Sequence, residues 1–152
     1  MDVTSTLDAP CDAATLFAAV EVLDAYPAWL SIVPVAIAAD AAEGDPGPAW
    51  LVDLRGRLGP LARSKRLRMV RTAFTPIMEQ DQCRHVRFER HELDGRDHSA
   101  WVLDAEVIAT DEGSRLTMVL HYGGSFGGSL LERMLRDEIE QSRPRLLDLV
   151  RR

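Results

Sequence analysis

An α+β fold, a curved antiparallel sheet of about seven strands wrapped around one long C-terminal helix, is what the succession of hydrophobic periods along this chain predicts. Three observations carry it. A series of short segments alternates apolar and polar residues with the period of a half-buried strand. The last segment changes to steps of three and four. Strands apolar on one side only need a cover for that face, and the terminal helix is the only element large enough to supply it.

Residues 2 to 8 set Val3, Ser5 and Leu7 against Asp2, Thr4 and Thr6, a first strand that Pro10 ends. Asp12 is placed to cap a short helix carrying Leu16, Phe17 and Val20 at helical spacing. A second short helix or turn is expected over Leu23 to Leu30, broken at Pro27. Ile32 to Ala39, rich in β-branched residues, reads as a strand stopped by the turn Gly44-Asp45-Pro46-Gly47-Pro48.

From Ala49 to Arg57 the chain alternates again, with Trp50, Val52 and Leu54 on one side and Asp53, Arg55 and Arg57 on the other. Gly59-Pro60 marks a turn before a longer strand over residues 62 to 74, which Thr75-Pro76 ends. In residues 84 to 92, Val86 and Phe88 oppose His85, Arg87, Glu89 and His91. The turns at Asp94-Gly95 and Asp111-Glu112-Gly113 bound strands over Ser99 to Ala109 and Arg115 to Gly123. After the glycine cluster, Leu131, Leu135, Glu138, Ile139, Ser142, Leu146 and Leu149 mark an amphipathic helix. Ser129 and Glu132 match a capping box at its start, and Pro144 is expected to kink it.

With 152 residues, 46% of them hydrophobic, the chain is sized to form a single domain, 1–152, with a core needing neither disulfides nor metals. A formal charge of −6 argues against a nucleic-acid partner, whose phosphates demand clustered Lys and Arg. The basic residues are nonetheless uneven: Arg55, Arg57, Arg63, Lys65, Arg66, Arg68 and Arg71 crowd one segment, expected to be a solvated strand face. Cys11 and Cys83 stand far apart, which points to reduced, buried thiols rather than a zinc site or a disulfide framework. The opening Met1-Asp2-Val3-Thr4-Ser5 has no basic stretch or apolar core, and no segment approaches the ~20 apolar residues of a membrane span. A cytoplasmic protein without membrane insertion is expected.

Local residues add a resemblance. Ala9-Pro10-Cys11-Asp12-Ala13-Ala14-Thr15-Leu16-Phe17 and Asp24-Ala25-Tyr26-Pro27-Ala28-Trp29 resemble the opening of the START-like (SRPBCC) superfamily, the helix-grip proteins that include polyketide cyclases and lipid carriers. Arg115-Leu116-Thr117-Met118 and the glycine-containing link into the last helix are similar to later parts of that pattern, so the likeness spans essentially the whole chain. The resemblance implies a cavity between sheet and helix that accepts an apolar small molecule; separately, no cofactor is expected.

Polar residues sharing the phase of the inward apolar ones are the candidate anchors, because a buried charge is costly unless paired or offered to a ligand. Leu67 and Met69 carry Arg71 inward, and Val86 and Phe88 carry Arg90 inward; Ser99 and Tyr122 share the inward phase of their strands. The two guanidiniums suit a carboxylate, enolate or phenolate oxygen, unless each reaches solvent at a strand end or pairs with Glu138. Trp50, Met69, Phe88, Trp101, Met118 and Leu135 complete the expected ligand-binding wall, Met being able to adapt to irregular shapes. His85, Glu89 and His91 share the outward face and are not read as a metal site; His98 and His121 are read as surface residues. The stretch Gly123-Gly124-Ser125-Phe126-Gly127-Gly128-Ser129 lacks the lysine of a phosphate loop and reads as a hinge, with Phe126 at the cavity mouth.

Three functions fit these residues. The first is binding or transport of a hydrophobic molecule of lipid, quinone or aromatic polyketide type. The alternative is a polyketide cyclase/aromatase in which Arg71, Arg90 and Tyr122 polarise a carbonyl. The third, with least support, is an interaction module docking an acidic carrier protein through the basic stripe from Arg55 to Arg68. Catalytic residues are not assigned, and a homodimer stays open.

Overall fold

Antiparallel pairing of neighbouring strands builds the whole sheet. The structure is a computed structural model that describes residues 1–58, 61–77, 79, 83–125 and 128–151. Its strands are β1 (Asp2–Ala9), β2 (Val35–Ala39), β3 (Ala49–Leu58), β4 (Leu61–Thr75), β5 (Arg84–Arg90), β6 (Trp101–Thr110) and β7 (Gly113–Tyr122). Between β1 and β2 lie helix α1 (Ala13–Ala18) and a 3₁₀ helix (Leu23–Ala28), and helix α2 (Gly128–Val150) follows β7. The sheet order β1-β7-β6-β5-β4-β3-β2 makes β2 to β7 a continuous meander. Only the link from β1 to β2 crosses the sheet, and it carries both short helices.

The local chemistry explains most boundaries. Asp12 caps α1 by accepting the Thr15 N–H at 2.7 Å, a bond that holds its carboxyl below the ordinary range. β2 begins at Val35 rather than Ile32, because Pro34 has no N–H to give a ladder and the residues before it turn, with the Val33 N–H on the Leu30 carbonyl. The 3₁₀ helix runs through Pro27 instead of breaking there. α2 begins at Gly128, so Ser129 lies within it rather than capping it, and Glu132 pairs with Arg136 one turn on. The Gly59-Pro60 turn and Phe126 lie outside the described residues.

One strand departs from simple alternation. The β4–β5 register shifts between Arg71 and Ala73, a bulge that leaves Arg71 opposite Phe88 and Phe74 opposite Val86. Directly opposed residues share a sheet face, so the bulge turns Phe74 to the inner side, where Phe17 of α1 stacks on it at 6.2 Å.

The core fills the concave side of the sheet. α2 contributes Leu131, Leu135, Ser142, Leu146 and Val150, while Tyr26 and Trp29 descend from the crossing segment and are 0% and 3% exposed. Both polar tips are satisfied close by: the Tyr26 hydroxyl donates to the Val20 carbonyl and the Trp29 indole to that of Ala19, each at 3.0 Å. Among the described residues no helix is long and apolar enough to cross a membrane.

Candidate functional site

The sheet and α2 do not close completely on each other. Between them lies a cavity of about 120 Å³, walled by β1, β3, β4, β6, β7, the 3₁₀ helix and its exit, and α2. Its wall is apolar apart from Ser5, Thr6, Ser142 and Arg143. Two of these are already engaged: the Ser142 hydroxyl donates to the Ile139 carbonyl at 2.6 Å, and the Arg143 guanidinium donates to the Thr6 carbonyl. A second compartment of about 100 Å³ adjoins it, sharing Ile32, Leu54, Trp101 and Leu135 as common wall. Arg55, Gly56, Arg63, Ser64, Lys65, Tyr122, Leu131 and Met134 complete the second chamber. Gly56 leaves the sheet bare where Met134 of α2 comes against it; a β-carbon there would collide with the Met134 sulfur.

The candidate residues divide around this geometry. Met69, Trp101, Met118 and Leu135 line the first compartment, and Tyr122, tilted against Trp101 at 4.7 Å, lines the second. Trp50 and Phe88 lie behind the wall. Their rings meet edge to face at 5.4 Å, Phe88 supports Tyr26 in the same manner at 6.3 Å, and the Trp50 indole N–H donates to Asp24 at 2.9 Å. They hold up Tyr26, which does line the cavity.

Neither arginine anchor stands on the wall of either compartment. Arg71 is on the inner side of the sheet but beyond the cavity, its guanidinium 3.8 Å from the centre of the Phe74 ring, the ring that the bulge turned inward. Arg90 opposes Met69 and is half-buried, its guanidinium committed to Glu92 at 3.3 Å and to the Ser99 carbonyl at 3.4 Å. Glu138, the alternative partner, accepts from Ser31 at 2.8 Å instead.

The basic segment follows expectation in part, Arg55, Arg57, Arg63, Lys65 and Arg66 being exposed. Arg68 is not solvated: its side chain is 6% exposed and bonded to Asp45 at 2.6 Å. Lys65 and Arg63 share the parity of Leu67 and Met69, so they lie on the inner face at the second compartment rather than on an outer stripe. The alternation that drew attention to Arg71 applied equally to them, counted in the opposite direction along β4. Burial and the neighbouring Arg90 charge hold Lys65 below the ordinary lysine range.

The outward polar residues form ordinary surface pairs. His85 and Arg87 share Asp104 at 2.7 and 2.8 Å, His98 meets Asp94 at 2.9 Å, and His121 meets Asp2 at 2.5 Å. The thiols of Cys11 and Cys83 are free and half-buried rather than fully buried, and burial raises that of Cys83.

No sequence-family model matches the chain, and no curated protein does. Solved structures do. A START superfamily protein from Mycobacterium smegmatis is 15% identical and superposes with a TM-score of 0.68, over 99% of this chain and 97% of its own. The chain has the same helix-grip fold. A Thermus thermophilus protein, TTHA0849, gives a TM-score of 0.70 at 16% identity over 99% and 97% of the two chains. KanY protein gives 0.65 at 16% identity over 100% and 98%. Within the helix grip, the cavity occupies the space between the concave sheet and the gripped helix, where side chains from opposite walls do not meet.

Proposed function

We propose that this chain binds a hydrophobic small molecule between its sheet and its long helix. The carrying observation is the cavity of about 120 Å³ with a wall of Leu, Val, Ile, Met and aromatic side chains. An apolar cavity of ~150 Å³ accepts one benzene ring, so the space suits a single ring system or a short acyl chain of a lipid, quinone or aromatic polyketide precursor. Met69 and Met118 on the wall let it adapt to irregular shapes. Each buried methylene of such a ligand contributes ~0.8 kcal/mol, against which stand the costs of association.

A cyclase activity through Arg71, Arg90 and Tyr122 draws less support, since Arg71 rests on Phe74 and Arg90 on Glu92, leaving Tyr122 alone at a compartment wall. Docking of an acidic carrier protein through Arg55 to Arg68 is weakened by the burial of Arg68 on Asp45.

The test is a thermal-shift and tryptophan-fluorescence screen against short lipids, quinones and aromatic ketones. A ligand present at a hundred times its dissociation constant stabilises by ~2.7 kcal/mol, so a true ligand raises the melting temperature saturably. Failure of the whole panel to shift melting or fluorescence rejects the proposal.

A further inference from the structure

The second compartment gives the ligand a polarity. Arg63 and Lys65 line it from the inner face of β4, and among the described residues neither makes an ion pair or a side-chain hydrogen bond; the acid nearest in charge to Lys65, Glu92, is engaged by Arg90 and by the Arg68 N–H. Nearby cations elsewhere on the same strand are neutralised: Arg66 by Asp53 and Arg68 by Asp45. Two cations on one face without ion-pair partners make a concavity of positive potential, which favours an anionic oxygen.

The shared wall carries a second sign of an absent acceptor. Of the three indole N–H groups, that of Trp29 donates to Ala19 and that of Trp50 to Asp24, whereas that of Trp101 is buried with no partner among the described residues. A buried donor without an acceptor is costly, and Trp101 forms wall to both compartments. The opposite end of the apolar cavity offers no comparable vacancy, because Arg143 is spent on the Thr6 carbonyl.

Taking the proposed hydrophobic binding as its basis, we infer that the ligand is an amphipathic anion, its ring or short chain in the apolar compartment and a carboxylate or phenolate oxygen between Lys65 and Arg63, beside the Trp101 indole N–H. The apolar wall selects by size. The cationic chamber selects by charge and fixes which end of the molecule leads.

The test compares octanoate, octanol and octylammonium by isothermal titration calorimetry at neutral pH. Octanoate binds at least about tenfold more tightly than octanol, the ratio that ~1.4 kcal/mol produces and that one hydrogen bond to a charged group reaches. Octylammonium binds more weakly than either. In the double variant Lys65→Gln/Arg63→Gln the octanoate advantage disappears, while octanol binds as before and so reports an intact cavity. In nitrogen–proton spectra, octanoate moves the one indole signal that Trp101→Phe deletes. Equal affinity for octanoate and octanol, an advantage that survives the double variant, or an unmoved Trp101 signal overturns the anionic site and leaves hydrophobic binding standing. Binding of none of the three overturns both.

Discussion

Arg68 and Asp45 meet at 2.6 Å with 6% and 3% of their side chains exposed, clasping the β2–β3 loop to β4. Arg68 also donates to the Asp40 and His91 carbonyls, and Asp45 also accepts the Ala42 N–H at 2.7 Å. A buried pair is tolerated only when its remaining polar atoms are satisfied in this way. The hydrogen bond from Arg68, and after it that from Ala42, holds the Asp45 carboxyl down at about 2.

A folded value below the unfolded one has a definite sign. The stabilisation is fully present above the ordinary aspartate value of ~3.9 and is lost as pH falls from there through the folded value. Urea unfolding at successive acidic pH values is therefore expected to show the wild type losing stability over this window more steeply than Asp45→Asn, which is also less stable at neutral pH. Equal acid slopes for the two proteins would count against the clasp.

The bond from Trp50 to Asp24 is asymmetric, because the indole is buried and the carboxylate is exposed. Asp24→Ala strands a buried donor, a loss of ~1–3 kcal/mol. Trp50→Phe frees a carboxylate that water solvates at once, so its cost is mainly lost packing. Chemical denaturation of both single variants and the double should give a sum of single losses larger than the double loss, as coupled neighbours require. Strict additivity would mean that the bond contributes nothing.

The periods of two and 3.6 along the chain were enough to order every element and to seat Met69, Trp101, Met118 and Leu135 on the inner face, because alternation and helical spacing are local properties. What parity does not carry is position along the strand. Phe88 and Trp50 share the inner phase, yet Tyr26 and Trp29 from the crossing segment fill the space before them, a contact between residues far apart in sequence. The β4 bulge is likewise invisible in composition, and it is what sets Phe74 beneath Arg71. Clustered basic residues in β4 read as one solvated face only if their alternation is ignored; separated by parity, Lys65 and Arg63 go to the inner side and Arg66 and Arg68 to the other.

Gly113 opens β7 with φ +149°, a conformation that side chains rarely adopt, and a β-carbon there would strike the Ala9 carbonyl at the end of β1. Such strain costs ~1–3 kcal/mol before the collision is counted. Gly113→Ala is expected to lower the melting temperature clearly, whereas Gly95→Ala, at φ +71° with nothing near its β-carbon, loses only the conformational part. Equal losses at the two sites would place the whole effect in backbone strain and none in packing against β1.

Met118 is the position from which the cavity can be filled most directly. It lies across from Ser5 on one side and the fully buried Ala105 on the other, so its neighbours in the sheet are small and its side chain faces the open space. Enlarging a side chain in a well-packed core costs ~1–3 kcal/mol, but the void of about 120 Å³ lets a larger ring extend without displacing Leu116 or Leu135. Met118→Trp is therefore expected to keep or raise the melting temperature while weakening octanol binding by more than about tenfold, a loss of ~1.4 kcal/mol. Thermal denaturation and calorimetric titration of the same preparation separate the two effects. A stable variant that binds octanol as well as the wild type would place the ligand outside this cavity.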